Sequence, residues 1–462
     1  MKTIARTLFS LFVILGLLLT ACGAPPAGEA TPGLTEPTAD LGEPAPGDAT
    51  AIPGTGGTVG ELPAQCTNVE LQYWNPFTGP DGPFMSQLVD EFNAAYENIN
   101  VTMNTIPGGE YVTQLGTAVA SGTQPDVAIM WADQVATMAF RNVFRPIDDL
   151  VSQVGLSGDD FPADVWAAGE VNGQRYAIPL DIHPMTMFYN ADLLAEAGLQ
   201  DPPQTREEFE NAATTMTQGN NHGFMITQGF PVQQIFQQLL HQFGGSEFSE
   251  DGSEVTWNSE AGVQALEWMR MAQQQWSEPN LEVDAELNAF KAGGVGMIWN
   301  GIWQTTNVTG DAVEFDGRAT SVPQIGDQMA VWAGSHQLAL PVRQSPDECR
   351  DAAAGLFINY LLDNSLTWAS AGQIPASTTV RESAEFQQLE PQASIAPSVE
   401  NAFFPPSVPG ITDALVPLGE AVGAVMSGTA ADIQTALDDS AARGNEILTQ
   451  NRATYGDAPQ SP

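Results

Sequence analysis

Between residues 69 and 130 the apolar positions switch repeatedly between two periods. Val69, Leu71 and Tyr73 alternate as in a strand with one buried face, whereas Phe84, Leu88, Phe92 and Tyr96 recur at helical spacing. Ile99, Val101 and Met103 alternate again, and Tyr111, Leu115, Ala118 and Val119 return to helical spacing. Residues 127–130 (Val-Ala-Ile-Met) are a short unbroken apolar run of the buried-strand type. This order predicts β-α-β-α-β, hence a parallel sheet covered by helices. Asp81-Gly82-Pro83 predicts a capping carboxylate with proline early in the first helix. Pro125 predicts an extended entry into the third strand.

A second α/β block follows. Residues 176–189 form a long extended run containing Pro179 and Pro184, and because proline cannot donate to a ladder the strand is expected to break there. Helical patterns occupy 191–198, 205–217, 231–243, 260–276 and 285–292, and 349–371 reads as helix before 372–377 breaks the pattern. A further extended run, 331–341, carries Gly334 in its middle. A body of about 390 residues exceeds what one hydrophobic core usually serves, so two lobes are expected, with chain crossings near 180, 335 and 375. The assignment is α/β: 66–180 with 336–374 as the N-terminal lobe, 181–335 with 375–452 as the C-terminal lobe, and 453–462 as a tail. No internal repeat is evident.

A junction of strand, Trp, polar residue and helix start recurs three times. It occurs at Leu71-Gln-Tyr-Trp74 entering Asn75, at Asp126-Val-Ala-Ile-Met-Trp131 entering Ala132-Asp133, and at Val295-Gly-Met-Ile-Trp299 entering Asn300-Gly-Ile-Trp303. In open α/β sheets ligands occupy the crevice beyond the carboxyl ends of the strands. Flat aromatic faces there, edged by hydrogen-bonding groups, suit a pyranose, which offers apolar C–H patches and a rim of hydroxyls. Ionised Asp accepts hydroxyl donors, and Asn both donates and accepts. Trp74, Trp131, Trp303, Trp299 and Trp332 fit the stacking role; Asp81, Asp133, Asp181, His183, Asn300, Ser335 and His336 fit the polar role.

The N-terminus changes the picture of where this happens. Lys2 and Arg6 precede an apolar run over 8–19, too short to span a bilayer comfortably, which reads as an export signal over 1–21. Leu19-Thr20-Ala21-Cys22 resembles a bacterial lipobox, implying cleavage before Cys22 and lipid on its thiol. Residues 23–65 contain no aromatic residue and are rich in Ala, Pro, Gly, Thr and Glu, a composition that stays disordered and would tether a folded body to the lipid. Two other cysteines, Cys66 and Cys349, are disulfide candidates in an exported chain. The 56 acidic and 14 basic residues give a net charge of −42, which argues against nucleic acid and anionic ligands and otherwise serves solubility.

These residues resemble the sugar-binding family of extracellular solute-binding proteins of ABC importers, which includes the maltose-binding proteins, over nearly all of 67–450. Pro125-Asp-Val-Ala-Ile-Met-Trp-Ala-Asp133 is similar to the family segment after its third strand; the resemblance implies sugar stacking by Trp131 and hydroxyl binding by Asp133. Met297-Ile-Trp-Asn-Gly-Ile-Trp303 is similar to the Asn-Gly-Pro-Trp segment that supplies the opposite wall, with Ile302 where proline is usual and Trp303 in register. The turn Trp74-Asn-Pro-Phe-Thr-Gly-Pro-Asp81 resembles a first ligand loop, 176–189 a first hinge strand and 371–377 a third. What the resemblance implies is a two-lobed type II periplasmic-binding-protein fold with a three-segment hinge, and a lipoprotein held at the outer face of the cell membrane. It would capture a mono- or oligosaccharide and deliver it to a membrane permease, without cofactor or metal and as a monomer.

Enzyme constellations are missing from the sequence. His183, His222, His241 and His336 show no close metal-ligand spacing, there is no Gly-x-Ser-x-Gly elbow, and Gly293-Gly-Val-Gly lacks the Lys of a phosphate loop. The alternatives are a binding protein for a non-sugar solute, such as a polyamine or peptide, and, behind it, a surface glycosidase.

Overall fold

The computed structural model describes residues 62–279 and 281–456. The signal segment, Cys22, all but the last residues of the tether, and 457–462 lie outside the described residues. In chain order the strands that build the two main sheets are β1 (Val69–Asn75), β2 (Ile99–Thr105), β3 (Val127–Trp131), β4 (Ala177–Pro179), β5 (Asp181–Asn190), β6 (His222–Met225), β7 (Val295–Gly301), β8 (Gly317–Ser321), β9 (Val331–Gly334), β10 (His336–Ala339), β11 (Ile374–Pro375) and β12 (Ala402–Phe403). The helices that matter below are α1 (Gly82–Ala95), α2 (Gly108–Ser121), α3 (Ala132–Phe140), α4 (Val232–Gln242), α5 (Glu260–Trp276), α6 (Glu348–Asp363), α7 (Ile411–Met426) and α8 (Ile433–Tyr455).

The first sheet runs β2-β1-β3-β10-β4, with β1 parallel to both β2 and β3 and β10 antiparallel to its neighbours. Along β1, Val69, Leu71 and Tyr73 are buried while Glu70 and Gln72 are exposed, so its period-2 pattern places one row in the core. The β3 run from Val127 to Met130 is buried at every position, as a strand covered on both faces must be. Helix α1 presents Met85, Leu88, Val89 and Phe92 to this core. The Asp81 carboxylate does not cap α1; it accepts from Gln373 Nε2 at 3.2 Å, so the capping expectation is corrected.

The second sheet runs β12-β9-β5-β7-β6, with β8 and β11 also pairing on β5. Strand β5 is continuous through Pro184, contrary to the expected break. Strand β9 pairs with His183 and Pro184 and β8 with Thr186 to Asn190, so the missing N–H falls where one partner ends and before the next begins. The break predicted near Pro179 does occur, at Leu180, the single residue between β4 of the first sheet and β5 of the second.

Three extended segments cross between the sheets and bond to one another. Leu180 N donates to His336 O at 2.8 Å, and Ala376 N donates to Leu180 O at 3.1 Å. Helices α7 and α8 carried no clear signal: α7 contains Pro417, and the exposed face of α8 is long and polar. Helix α8 runs to Tyr455, past the expected start of the tail, and Tyr455 Oη accepts from Nε of Arg141, the residue after α3, at 2.7 Å. Gly410, just before α7, donates to Thr137 Oγ1 on α3 at 2.8 Å, so the two sheet layers also meet at one side of the gap between them. No helix of the described residues is long and apolar enough to cross a membrane.

Cys66 and Cys349 are joined by a disulfide that ties the entry to β1 to the first turn of α6, across 283 positions of sequence. Closing so long a loop restricts the unfolded chain. Replacing both cysteines by Ala is expected to lower unfolding free energy by about 2–5 kcal/mol, read as a lower denaturation midpoint with an unchanged native circular-dichroism spectrum.

Candidate functional site

The strand ends and crossings converge on a cleft of about 720 Å³ between the two sheets. The β1–α1 loop contributes Phe77, Gly79 and Asp81, and the β3–α3 junction contributes Trp131, Asp133 and Gln134. Facing them, the segment after β7 contributes Trp303 and Gln304, and the start of α4 contributes Phe230, Gln233, Gln234 and Gln237. The floor is the crossing segment Trp332–His336 together with His183.

The rings are braced from behind. Tyr111 on α2 meets Trp131 edge-on at 6.0 Å, and its hydroxyl is fixed between Trp74 O (2.9 Å) and Ile129 O (2.7 Å). On the far wall Trp303 lies close over Gly301, where a Cβ would come within 1.9 Å of the indole, so any other residue there would displace the ring. Phe230 lies nearly parallel to Trp303 at 5.9 Å, and Trp332 stands edge-on to it at 6.5 Å.

No Lys or Arg lines the cleft, and its acids are Asp81 and Asp133. Burial pushes the Asp133 carboxyl up to about 6. Burial also raises Asp81, against the opposing pull of His336. At the floor, Asp181 Oδ1 accepts from His183 Nδ1 (3.0 Å) and from the backbone N–H of His336 (3.0 Å). Its Oδ2 accepts from His336 Nδ1 (2.7 Å) and Trp368 Nε1 (2.6 Å). Burial alone would raise Asp181, but the two histidines and their hydrogen bonds outweigh it and hold the carboxyl below the usual carboxylate range. Burial, helped by His336, pulls the His183 imidazole down to about 4.

Of the residues selected from sequence, Asp81, Trp131, Asp133, His183, Trp303, Trp332, Ser335 and His336 line the cleft, and four do not. Trp74 is half-buried and packs into the core beneath Tyr111 and Trp131. Asp181 is fully buried behind the histidines. Trp299 shares its strand face with Met297, and period 2 turns that face inward; its indole stacks on Trp268 at 5.6 Å and packs against Phe209 at 5.3 Å. Asn300 is spent internally, with Nδ2 donating to Glu286 Oε1 at 3.3 Å and Oδ1 accepting from Gly301 N at 2.8 Å. Sequence reasoning missed Phe77, Phe230 and the α4 glutamines. The repeated Gln pairs of Val232-Gln-Gln-Ile-Phe-Gln-Gln, polar on an otherwise apolar helix, were the available signal. It also treated the histidines separately, whereas Asp181, His183 and His336 form the one group among the described residues compact enough to suggest a metal.

The sequence matches the family profile of the bacterial extracellular solute-binding proteins over residues 78–366. The chain belongs to the bacterial extracellular solute-binding proteins. A putative binding protein of Brucella abortus is 21% identical over 258 residues, 54% of this chain and 61% of that protein, so the match spans less than two thirds of that relative's length. A maltooligosaccharide ABC transporter solute-binding lipoprotein of Streptococcus pneumoniae is 22% identical over 391 residues, 78% of this chain and 86% of that one. Among solved structures, an ABC substrate-binding protein of Listeria monocytogenes in complex with cycloalternan superposes with TM-score 0.72 at 20% identity, covering 83% of this chain and 99% of that one.

This solute-binding protein therefore has the two-lobed type II periplasmic-binding-protein fold, with the three crossing segments as its hinge. The family is one of binders rather than enzymes, in line with the missing catalytic constellations. The correction at Asn300 has a measurable consequence. Glu286 is buried, and burial raises its carboxyl to about 7. The folded state thus holds this proton more tightly than the unfolded chain does, so stability is lost as pH rises from about 4.5 through 7. Glu286→Gln keeps the Asn300 bond without the charge. It is expected to match wild type at pH 4.5 and to exceed it by up to about 3 kcal/mol at pH 8, read by chemical denaturation at both pH values.

Proposed function

We propose that this protein is the capture component of an ABC importer: a lipoprotein, anchored through Cys22, that encloses a mono- or oligosaccharide between its lobes and presents it to a membrane permease. The lobes in this reading are 66–180 with 336–374 and 181–335 with 375–452, and the ligand set is the eight cleft-lining residues above together with Phe230 and the α4 glutamines. The observation that carries it is the pairing of Trp131 and Trp303, which line one cleft from opposite sheets, with amide groups and no fixed cation at the edge. Indole faces cover sugar C–H patches, and neutral amides serve hydroxyls as donor and acceptor at once. The printed functions of relatives, among them the maltooligosaccharide-binding lipoprotein above and a galactooligosaccharide-binding protein of Bacillus subtilis, support the same class. Contacts from both lobes favour the closed state, so a ligand that touches both shifts the population toward it.

One observation favours a second solute class. Two carboxylates beside aromatic rings, in a chain of net charge −42, are also compatible with a polyamine. A thermal-shift screen of malto-, manno-, galacto- and arabino-oligosaccharides against spermidine and putrescine separates the two. A sugar hit supports the proposal, and stabilisation by the amines alone overturns it.

For the sugar hit, Trp131→Ala and Trp303→Ala are each expected to cost about 2 kcal/mol or more in binding, roughly thirtyfold in Kd. Trp299→Ala is instead expected to lower the melting temperature, because that ring is core. Ionised Asp133 accepts hydroxyl donors on both oxygens in charge-assisted bonds, and protonation weakens that acceptance, so sugar affinity should fall as pH drops through about 6. Asp133→Asn should remove that dependence, a comparison calorimetry can make at pH 5 and 8.

A further inference from the structure

His183 and His336 come from strands that belong to different sheets and are 153 positions apart, yet their rings lie side by side, centroids 4.2 Å apart and planes 31° from parallel. Both Nδ1 atoms bond the same carboxylate, Asp181. An ionised carboxylate can only accept, so each Nδ1 carries its proton toward Asp181. In a neutral ring the remaining nitrogen, Nε2, is then a bare acceptor. Both histidines line the cleft while Asp181 does not, so the carboxylate grips the rings from the buried side and leaves the opposite edges to the cleft floor. Gly334 guards this arrangement: a Cβ there would meet His183 Nε2 at 2.2 Å, and Gly334 itself lines the cleft.

We propose that Asp181 presets His183 and His336 as two adjacent Nε2 acceptors, and that this pair selects a ligand offering two neighbouring hydroxyl donors. The inference rests on the carbohydrate reading and adds which part of the sugar the floor reads. A metal ion is a poor occupant. Zinc needs free lone pairs converging on one point about 2.0–2.1 Å from each nitrogen, whereas both Nδ1 atoms are already engaged with Asp181. An Asp181 oxygen could join only by surrendering at least one of the four hydrogen bonds it already accepts. An ammonium or guanidinium donor is served no better by the carboxylate behind the rings, since Asp181 is covered by its four N–H partners. The charged and titratable groups facing the pair are Asp181 behind it and Asp81 from the β1–α1 loop, with Tyr73 of β1 close to Asp181.

The test is long-range proton–nitrogen correlation NMR on the full chain labelled with nitrogen-15 histidine, at pH 8, before and after adding maltotriose or mannotriose, with tryptophan fluorescence as the independent report of binding. The expected result is an Nδ1–H signature on both rings, and Nε2 resonances of both that move on sugar addition. Gly334→Ala, which covers one acceptor without touching Asp181, is expected to weaken sugar binding at least tenfold while leaving the His336 signature intact. An Nε2–H signature on either ring overturns the proposal. So do Nε2 resonances that stay fixed while fluorescence reports sugar binding, a Gly334→Ala variant that binds as wild type does, or stoichiometric zinc binding abolished by His336→Asn. If neither trisaccharide binds and spermidine does, the carbohydrate reading fails, and this inference goes with it.

Discussion

Asp181 is the first residue of β5, placed where the chain has just left the first sheet, and its two oxygens take four N–H donors from three separate stretches: His183 beside it, His336 after the second crossing, and Trp368 near the third. A carboxylate this deep is tolerated only because every acceptor site is used; left unpaired, it would cost several kcal/mol. The same satisfaction that makes the charge affordable determines the geometry around it. It fixes the relative position of the crossing strands, turns two imidazoles toward the cleft, and seats Trp368 and, through it, Phe77 at 4.7 Å. The hinge and the cleft floor are thus one hydrogen-bonded unit, and a ligand touching the floor touches the element about which the lobes turn.

The charge distribution follows a different logic from the net charge. A chain at −42 would seem built to attract cations, but many of its few arginines are spent on local pairs: Arg343 and Arg350 on Asp126, Arg318 on Asp316, Arg206 on Glu210. None reaches the cleft, and the two cleft acids are raised toward neutrality by burial. What faces the solute is aromatic surface and amide, with two carboxyl groups and two imidazoles among them. A surrounding field of one sign repels anions from the molecule as a whole while leaving discrimination among neutral solutes to contact geometry.

Much of the fold was legible because its signals are local. The alternation of periods over 69–130 announces a β-α-β-α-β unit, and Trp131 is readable as a strand-end residue since its partners are the five residues before it. Trp299 and Trp303 show where that kind of reading stops. Both follow the same strand, but Trp299 shares Met297's face and enters the aromatic core, while Trp303 follows the turn at Gly301 and reaches the cleft. Deciding between them needed to know which face of β7 is covered by helix. The α4 glutamines carry no motif, because an amide suits a solvated helix as well as a sugar edge. The histidine pair was illegible for a stronger reason: its two rings meet only through the crossing of strands drawn from both halves of the chain.

The mouth of the cleft gives the last piece of the argument. Phe230 is 52% exposed and Val416 is 57% exposed, both on the C-terminal side and both lining the cleft, where the other large apolar side chains are buried or half-buried. Phe230 packs against Trp303 in an offset stack, with centroids 5.9 Å apart and planes 27° from parallel. Together the two rings carry the apolar wall of the cleft out to its exposed rim. Covering each 100 Å² of such surface contributes about 2.5 kcal/mol, and only an occupant long enough to leave the histidine floor and still lie on Phe230 collects all of it. A ligand confined to the floor would leave the outer ring in water in the bound state as in the free one, so under the proposed carbohydrate reading the exposed ring favours a longer occupant and the floor a particular hydroxyl pattern.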